Sequence, residues 1–203
     1  MEKSDEGKGR PSVIDYGDYF VDAEVFTSIY SKHHETTVIK IETDTGIVGW
    51  GEAQSPVSPR TTQAIVEDLV RPLILGRDPF DIEAIWTRNY GAMRERGHPT
   101  GFYVDAIGGT DTALWDIVGK ATGKPVHKLA GGRYRDRIKL YVGMGGTDPA
   151  KVADTAEEHV GYGYTALKLH LLLDADGVAE IARAVRKRVG PGIMLMCDVH
   201  MRQ

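Results

Sequence analysis

The chain has 203 residues, 41% hydrophobic and 27% charged, with a formal net charge of -4. These proportions exclude a disordered or fibrous chain. With 25 basic and 29 acidic residues, they also exclude the charge footprint of a protein built for nucleic acid or an anionic membrane surface. No apolar run approaches the ~20 residues that span a bilayer. The first ten residues, MEKSDEGKGR, lack the apolar centre of a secretory signal. The single cysteine, Cys197, cannot form an internal disulfide and suits a reducing compartment, so a cytoplasmic location is expected.

Residues 1–11 are polar and read as a disordered tail. From 13 to 50 the pattern is extended. The clearest hairpin runs from Val38-Ile39-Lys40-Ile41-Glu42 through a Thr43-Asp44-Thr45-Gly46 turn to Ile47-Val48-Gly49-Trp50. Residues 19–29 read as one further strand. Three helices follow. Ser58 stands as a cap ahead of Pro59 at the first helical position, and the apolar stripe of Ile65, Leu69 and Leu73 carries that helix to about residue 75. Asp78-Pro79 opens the second, with Ile82, Ile85 and Trp86 on one stripe. The third spans about 101–122 and ends at Gly123 and Pro125. Strands followed by helices predict an α+β domain over 12–130.

After Gly131-Gly132 the pattern changes, and a second domain is expected over 131–203. Apolar strands at 138–142, 165–169 and 193–197 alternate with helices at about 149–160 and 175–189. From Leu140 to Leu167 is 27 positions and from Leu167 to Leu195 is 28, the period of parallel βαβ units. A closed barrel of eight such units takes roughly 250 residues. Three strands cannot close, so this part reads as an incomplete α/β barrel, or the start of an open flavodoxin-like sheet, and the sequence is expected to stop mid-domain.

Side chains alternate across a strand, which puts Lys168 and His170 on one face and Met194, Met196, Asp198 and His200 on one face of the next strand. If both faces point into a barrel, a lysine, an aspartate and two histidines converge at its C-terminal mouth, where such enzymes carry their active sites. Asp198 could offer a hard oxygen to Mg²⁺. A lysine beside a dication would have a lowered pKa and serve as a base for a proton alpha to a carboxylate. His200 could then protonate a leaving hydroxide. The same residues also read blandly. Lys168 and His170 read as solvent-facing polarity, Asp198 as the cap of a following helix and Glu52 as a hairpin-end residue. His33, His34, His127 and His159 read as solvated, and Cys197 as core.

Four strings, GIVGWGEA (46–53), AIGGTDTALWDIVGKATGKPVHKLAGG (106–132), LKLH (167–170) and CDVH (197–200), together resemble the enolase superfamily. The resemblance is to its mandelate racemase/muconate lactonizing enzyme branch. The middle string is the most specific, with Ala106, Asp111, Ala113, Leu114, Trp115, Asp116, Gly119 and Lys120 placed as in the family pattern. The resemblance implies an α+β capping domain followed by a (β/α)₇β barrel of which this chain holds the first three strands. It implies Mg²⁺ as cofactor, held by three carboxylates. Asp198 matches the first; the other two belong to later strands. Lys168 matches the family's second-strand lysine, while His170 stands where many members have another lysine.

The string Asp198-Val199-His200-Met201-Arg202 is similar to the sugar-acid dehydratases of the branch, those acting on galactonate and mannonate. By that resemblance His200 is the acid that protonates the departing 3-hydroxyl, Lys168 and His170 are catalytic, and Arg202 contacts substrate. The segments 50–54 and 19–31 match loops that set specificity, which gives Trp50, Glu52 and Tyr19 as substrate contacts. The implied function is a Mg²⁺-dependent acid-sugar dehydratase, a lyase. It removes the proton alpha to the carboxylate, passes through an enediolate and loses water to give a 2-keto-3-deoxy acid. The alternatives are a hydroxy-acid racemase or epimerase and a truncated, non-catalytic product; the 203-residue chain alone is expected to be inactive. The expected partner is a small-molecule acid sugar, in a homo-oligomer, with neither nucleic acid nor membrane.

Overall fold

A computed structural model of the chain describes residues 13–22, 26–171 and 173–198. The tail expected at 1–11, together with His200 and Arg202, lies outside the described residues. The chain divides into two compact units, one ending at Tyr134 and the other beginning at Arg135.

The first unit opens with an antiparallel meander, β1 (Val13–Asp15), β2 (Tyr19–Asp22) and β3 (Phe26–Ser31). The single strand expected at 19–29 is therefore two, paired Tyr19 with Ser31 and Phe20 with Tyr30. Both arms are apolar and extended, so hydropathy carries no mark of the reversal between them. The hairpin β4 (Thr37–Glu42) and β5 (Val48–Ala53) lies where expected, with Lys40 opposite Trp50 and Ile39 opposite Gly51.

The three helical stretches expected are present, the first divided into α1 (Pro59–Ile65) and α2 (Arg71–Ile74), followed by α3 (Ile82–Arg94) and α4 (Phe102–Thr122); a short α5 (Val126–Leu129) was not expected. Between α1 and α2 the chain makes a turn of π-helix, Val66–Val70. Ser58 does not cap α1. Its backbone is left-handed (φ 54°), and its hydroxyl is paired with that of Thr61 at 2.8 Å.

The hairpin lies on α4 through residues that lack bulk. Gly49, Gly51 and Ala53 form the inner face of β5, and a Cβ added at Gly49 or Gly51 would overlap the carbonyl oxygens of Ala113 and Gly109 on α4. Ile39, Ala106, Ile107, Ala113, Leu114 and Ile117 are buried around this contact, each large aliphatic side chain contributing about 1.5–3 kcal/mol by its removal from water. One edge of the hairpin is sealed by α4. The Trp50 N–H donates to Asp116 (2.9 Å), and the Lys120 ammonium donates to the Val48 carbonyl (2.8 Å) and to Asp116 (2.6 Å). The Lys120 hydrogen bond, and after it the Trp50 N–H, hold the Asp116 carboxyl below the usual carboxylate range.

The second unit is a parallel sheet in the order β6 (Val142–Met144), β7 (Ala166–His170), β8 (Met194–Asp198), with α6 (Pro149–Gly161) and α7 (Ala175–Val189) as crossovers. Asp148 caps α6 by accepting from the N–H groups of Ala150 and Lys151, and Asp174 caps α7 by accepting from that of Gly177. Leu167, Leu169, Ile181, Val185 and Ala156 form the core between sheet and helices. Arg188 on α7 pairs with Asp154 and Glu157 of α6. The three-stranded parallel sheet fits an incomplete barrel. Its first strand lies later than expected. Leu167 pairs with Val142 rather than Leu140, a spacing of 25, and Ile138 and Leu140 stand exposed. Cys197, expected in the core, is exposed because β8 is an edge strand with no neighbour on its far side among the described residues.

Filling the glycine contact should break the first unit. Gly51→Ala is expected to lower stability by about 1–3 kcal/mol, the range for forced overpacking. Gly91→Ala, on α3 with nothing within 4 Å of the added carbon, should be neutral or stabilising by roughly 0.5–1 kcal/mol. Thermal denaturation of the two variants checks this.

Candidate active site

The parallel register fixes which side chains meet. Lys168 is paired with Gly143 on one side and Met196 on the other, and His170 with Asp198. Leu167 and Leu169 point to the helices and are fully buried. By alternation, Tyr141, Gly143, Lys168, His170, Met196 and Asp198 belong to the opposite face. Lys168, His170 and Asp198 are thus brought together, as expected from the strand periodicity.

Within this group Lys168 reaches diagonally across the strand pair, and its Nζ lies 2.9 Å from Asp198 Oδ2. Both side chains are partly covered, 28% and 35% exposed. The Asp198 hydrogen bond holds the Lys168 ammonium above the ordinary lysine range, against a smaller opposing effect of burial. The sequence expectation of a lowered pKa assumed a dication as neighbour; a carboxylate as neighbour acts in the other direction. The ring of Tyr141 also lies beside this ammonium, 5.4 Å from Nζ to its centroid. Sequence reasoning missed Tyr141 although it lay inside the strand expected at 138–142. The available signal was the parity shared by Tyr141 and Gly143.

Tyr19, Trp50 and Glu52 belong to the first unit. The Tyr19 hydroxyl accepts from the Ser58 N–H at 3.2 Å. Trp50 is 51% exposed on the outer face of the hairpin. Glu52, on that same face, accepts from the Thr36 hydroxyl at 2.8 Å and lines a hollow of about 330 Å³ with His33, His34, Glu35 and Pro56.

The residues 22–131 match the family profile described as mandelate racemase / muconate lactonizing enzyme, N-terminal domain. This covers more than half of the chain and settles its kinship. The chain belongs to the mandelate racemase/muconate lactonizing enzyme family. It is 42% identical over 147 residues to D-galactonate dehydratase of Verminephrobacter eiseniae, an alignment covering 72% of this chain and 37% of that protein. With D-galactonate dehydratase of Pectobacterium atrosepticum it is 39% identical over 173 residues, 81% of this chain and 44% of that protein. The chain thus spans less than half the length of these curated relatives. A crystal structure of an enolase superfamily member from Agrobacterium tumefaciens superposes with a TM-score of 0.88 at 31% identity, over 96% of this chain and 50% of that one. A crystal structure of a protein named an isomerase, from Sinorhizobium meliloti, does so with a TM-score of 0.89 at 40% identity, over 97% and 51%.

Mg²⁺, the cofactor this kinship implies, takes six oxygens in near-octahedral geometry. Asp198 offers a carboxylate of the right hardness for one position. Among the described residues no group of three or more Asp, Glu, His or Cys side chains could hold a metal ion. The described residues therefore fit one ligand of a Mg²⁺ site and not the complete set. Among them, too, no helix is long and apolar enough to cross a membrane.

The raised pKa of Lys168 has a testable sign. The ion pair's contribution is fully present below the ordinary lysine value of about 10.4 and is lost as pH rises through the higher value Lys168 has in the folded chain. A ¹⁵N NMR titration of the lysine ammonium groups should show Lys168 deprotonating above the ordinary range. Asp198→Asn should bring it down; an unchanged midpoint in that variant would disprove the pairing.

Proposed function

We propose that the chain is part of a Mg²⁺-dependent acid-sugar dehydratase. The observation that carries the reading is the Lys168–Asp198 pair on the face of the parallel sheet opposite α6 and α7, with His170 in register beside it. It is joined to a sequence about two-fifths identical to proteins named D-galactonate dehydratase. The substrate class is a small polyhydroxy carboxylic acid.

A general base, His170 or a group on a later strand, takes the proton on C2, alpha to the carboxylate. The electron pair left behind forms the C2–C3 double bond as the C3–O bond breaks. The departing hydroxyl takes up a proton and leaves as water, and the enol relaxes to the 2-keto-3-deoxy acid. Asp198 supplies one ligand of Mg²⁺, with further carboxylates expected on later strands. The ion, when bound, supplies positive charge to the substrate carboxylate.

Lys168 contributes mainly as a fixed positive charge. Beside Asp198 its ammonium stays protonated at neutral pH, and a preorganised cation near a developing anion lowers the barrier more in a partly dry site than in water. His200, by its place in the Asp-x-His-x-Arg string, is the group that protonates the leaving 3-hydroxyl, and Arg202 holds the substrate. His170, facing the same side as Lys168, is a second proton-carrying group. Trp50, Glu52 and Tyr19 set which acid sugar is accepted.

The test is an acid-sugar panel assayed for 2-keto-3-deoxy product, with the polypeptide as its gene encodes it. His200→Asn should abolish elimination, and Lys168→Met should lower kcat by about 10²–10⁴-fold, the span of a positioned proton-transfer or charge-stabilising group. Exchange of the C2 proton with solvent deuterium without loss of water in the unaltered protein would replace this reading with a racemase or epimerase.

A further inference from the structure

Lys168 has two neighbours, and they differ in kind. Asp198 is charged and holds the ammonium directly at 2.9 Å. Tyr141 is neutral; its hydroxyl oxygen accepts a hydrogen bond from the ammonium, and its ring lies 5.4 Å from Nζ to the centroid, inside the ~6 Å range at which a cation is attracted to an aromatic quadrupole. The sheet places it there. Gly143 is the register partner of Lys168, and Tyr141, two residues earlier, lies on the same face. An added carbon at Gly143 would meet nothing within 4 Å, so no side chain of the first strand stands between the ring and the lysine.

The two contacts cannot serve the same purpose. If Asp198 turns its oxygens to a cation, the ammonium loses its charged acceptor and keeps only its contact with Tyr141. A lysine is a point charge on a flexible four-carbon stem, and without a second contact it would swing into solvent. The tyrosine ring has no such competing use. It keeps its attraction for the ammonium whatever Asp198 is bound to.

We infer that Tyr141 is a positioning residue for Lys168, its ring being the platform that keeps the ammonium on the ligand-facing side of the sheet when Asp198 is engaged elsewhere. The inference rests on the proposed shared site of Lys168 and Asp198, and it adds the residue that makes their separation workable. Tyr141 touches no reacting atom in this scheme and acts only through the lysine.

The experiment uses the 203-residue chain and needs no turnover. The ε-methylene protons of Lys168 should resonate upfield of the other lysines because of the Tyr141 ring current. Asp198→Asn takes away the negative charge that holds the ammonium, leaving only a neutral amide oxygen in its place. In that variant the upfield displacement should persist. It should persist again when Tyr141→Phe is added and be lost when Tyr141→Leu is added, with the methyl spectrum of the Leu167, Leu169 and Ile181 core unchanged as the folding control. Loss of the displacement in Asp198→Asn alone would overturn the inference, since the ring contact would then only follow from the ion pair. So would its survival in the Tyr141→Leu double variant. A second arm, in the polypeptide the gene encodes, expects Tyr141→Leu to lower kcat severalfold with KM little changed and Tyr141→Phe to restore it. Absence of dehydratase activity in the unaltered protein would defeat the functional reading, while the ring-current result would still decide the platform.

Discussion

The hydrogen-bond register between β7 and β8 is the constraint on which the candidate site depends. Parallel pairing of Lys168 with Met196 and of His170 with Asp198 fixes the parity of every side chain in both strands. A slip by one residue would turn Leu167 and Leu169 away from the helices and bury Lys168 among them. The apolar face is what forbids that slip. Leu167 and Leu169 are fully buried against α6 and α7, and exposing both would forfeit about 1.5–3 kcal/mol each. The chemistry on one face is thus held in place by the hydrophobicity of the other.

Once parity is fixed, electrostatics sets the finer arrangement. Lys168 and His170 are both candidates to approach Asp198, and the lysine's longer stem makes the diagonal contact. That contact keeps the cation and the carboxylate paired on a partly covered face. It also gives the lysine a proton it does not readily release, so its natural role is a standing charge. The first unit follows a different logic. There the hairpin and α4 approach so closely that only Gly49 and Gly51 fit, and the exposed backbone edge of β5 is closed by the Asp116–Lys120 pair one helical turn apart.

Much of this was legible in the sequence because it is periodic. The hairpin around Gly46, the helical stretches between Pro59 and Thr122, and the strand–helix alternation after Gly132 all follow from spacing. So does the grouping of Lys168, His170 and Asp198, since alternation is a property of any strand. What escaped depends on contacts between segments distant along the chain. The reversal between Asp22 and Phe26 joins two apolar arms that read as one strand. The first barrel strand was expected too early because Ile138 and Leu140 are as apolar as Val142 and Met144; Tyr141 lay inside the expected strand, and its parity with Gly143 went unused. Ser58 has the composition of a helix cap, yet its left-handed backbone turns the hydroxyl to Thr61. The sign of the Lys168 shift required knowing that a carboxylate stands beside it.

The most direct measurement of the central claim is a cross-strand NOESY experiment on the isotope-labelled chain. The register predicts contacts between the backbone protons of Lys168 and those of Met196, and between the lysine ε-methylene and the Asp198 β-methylene. Backbone contacts displaced by one residue, with Leu167 or Leu169 on the side of Asp198, would contradict the account.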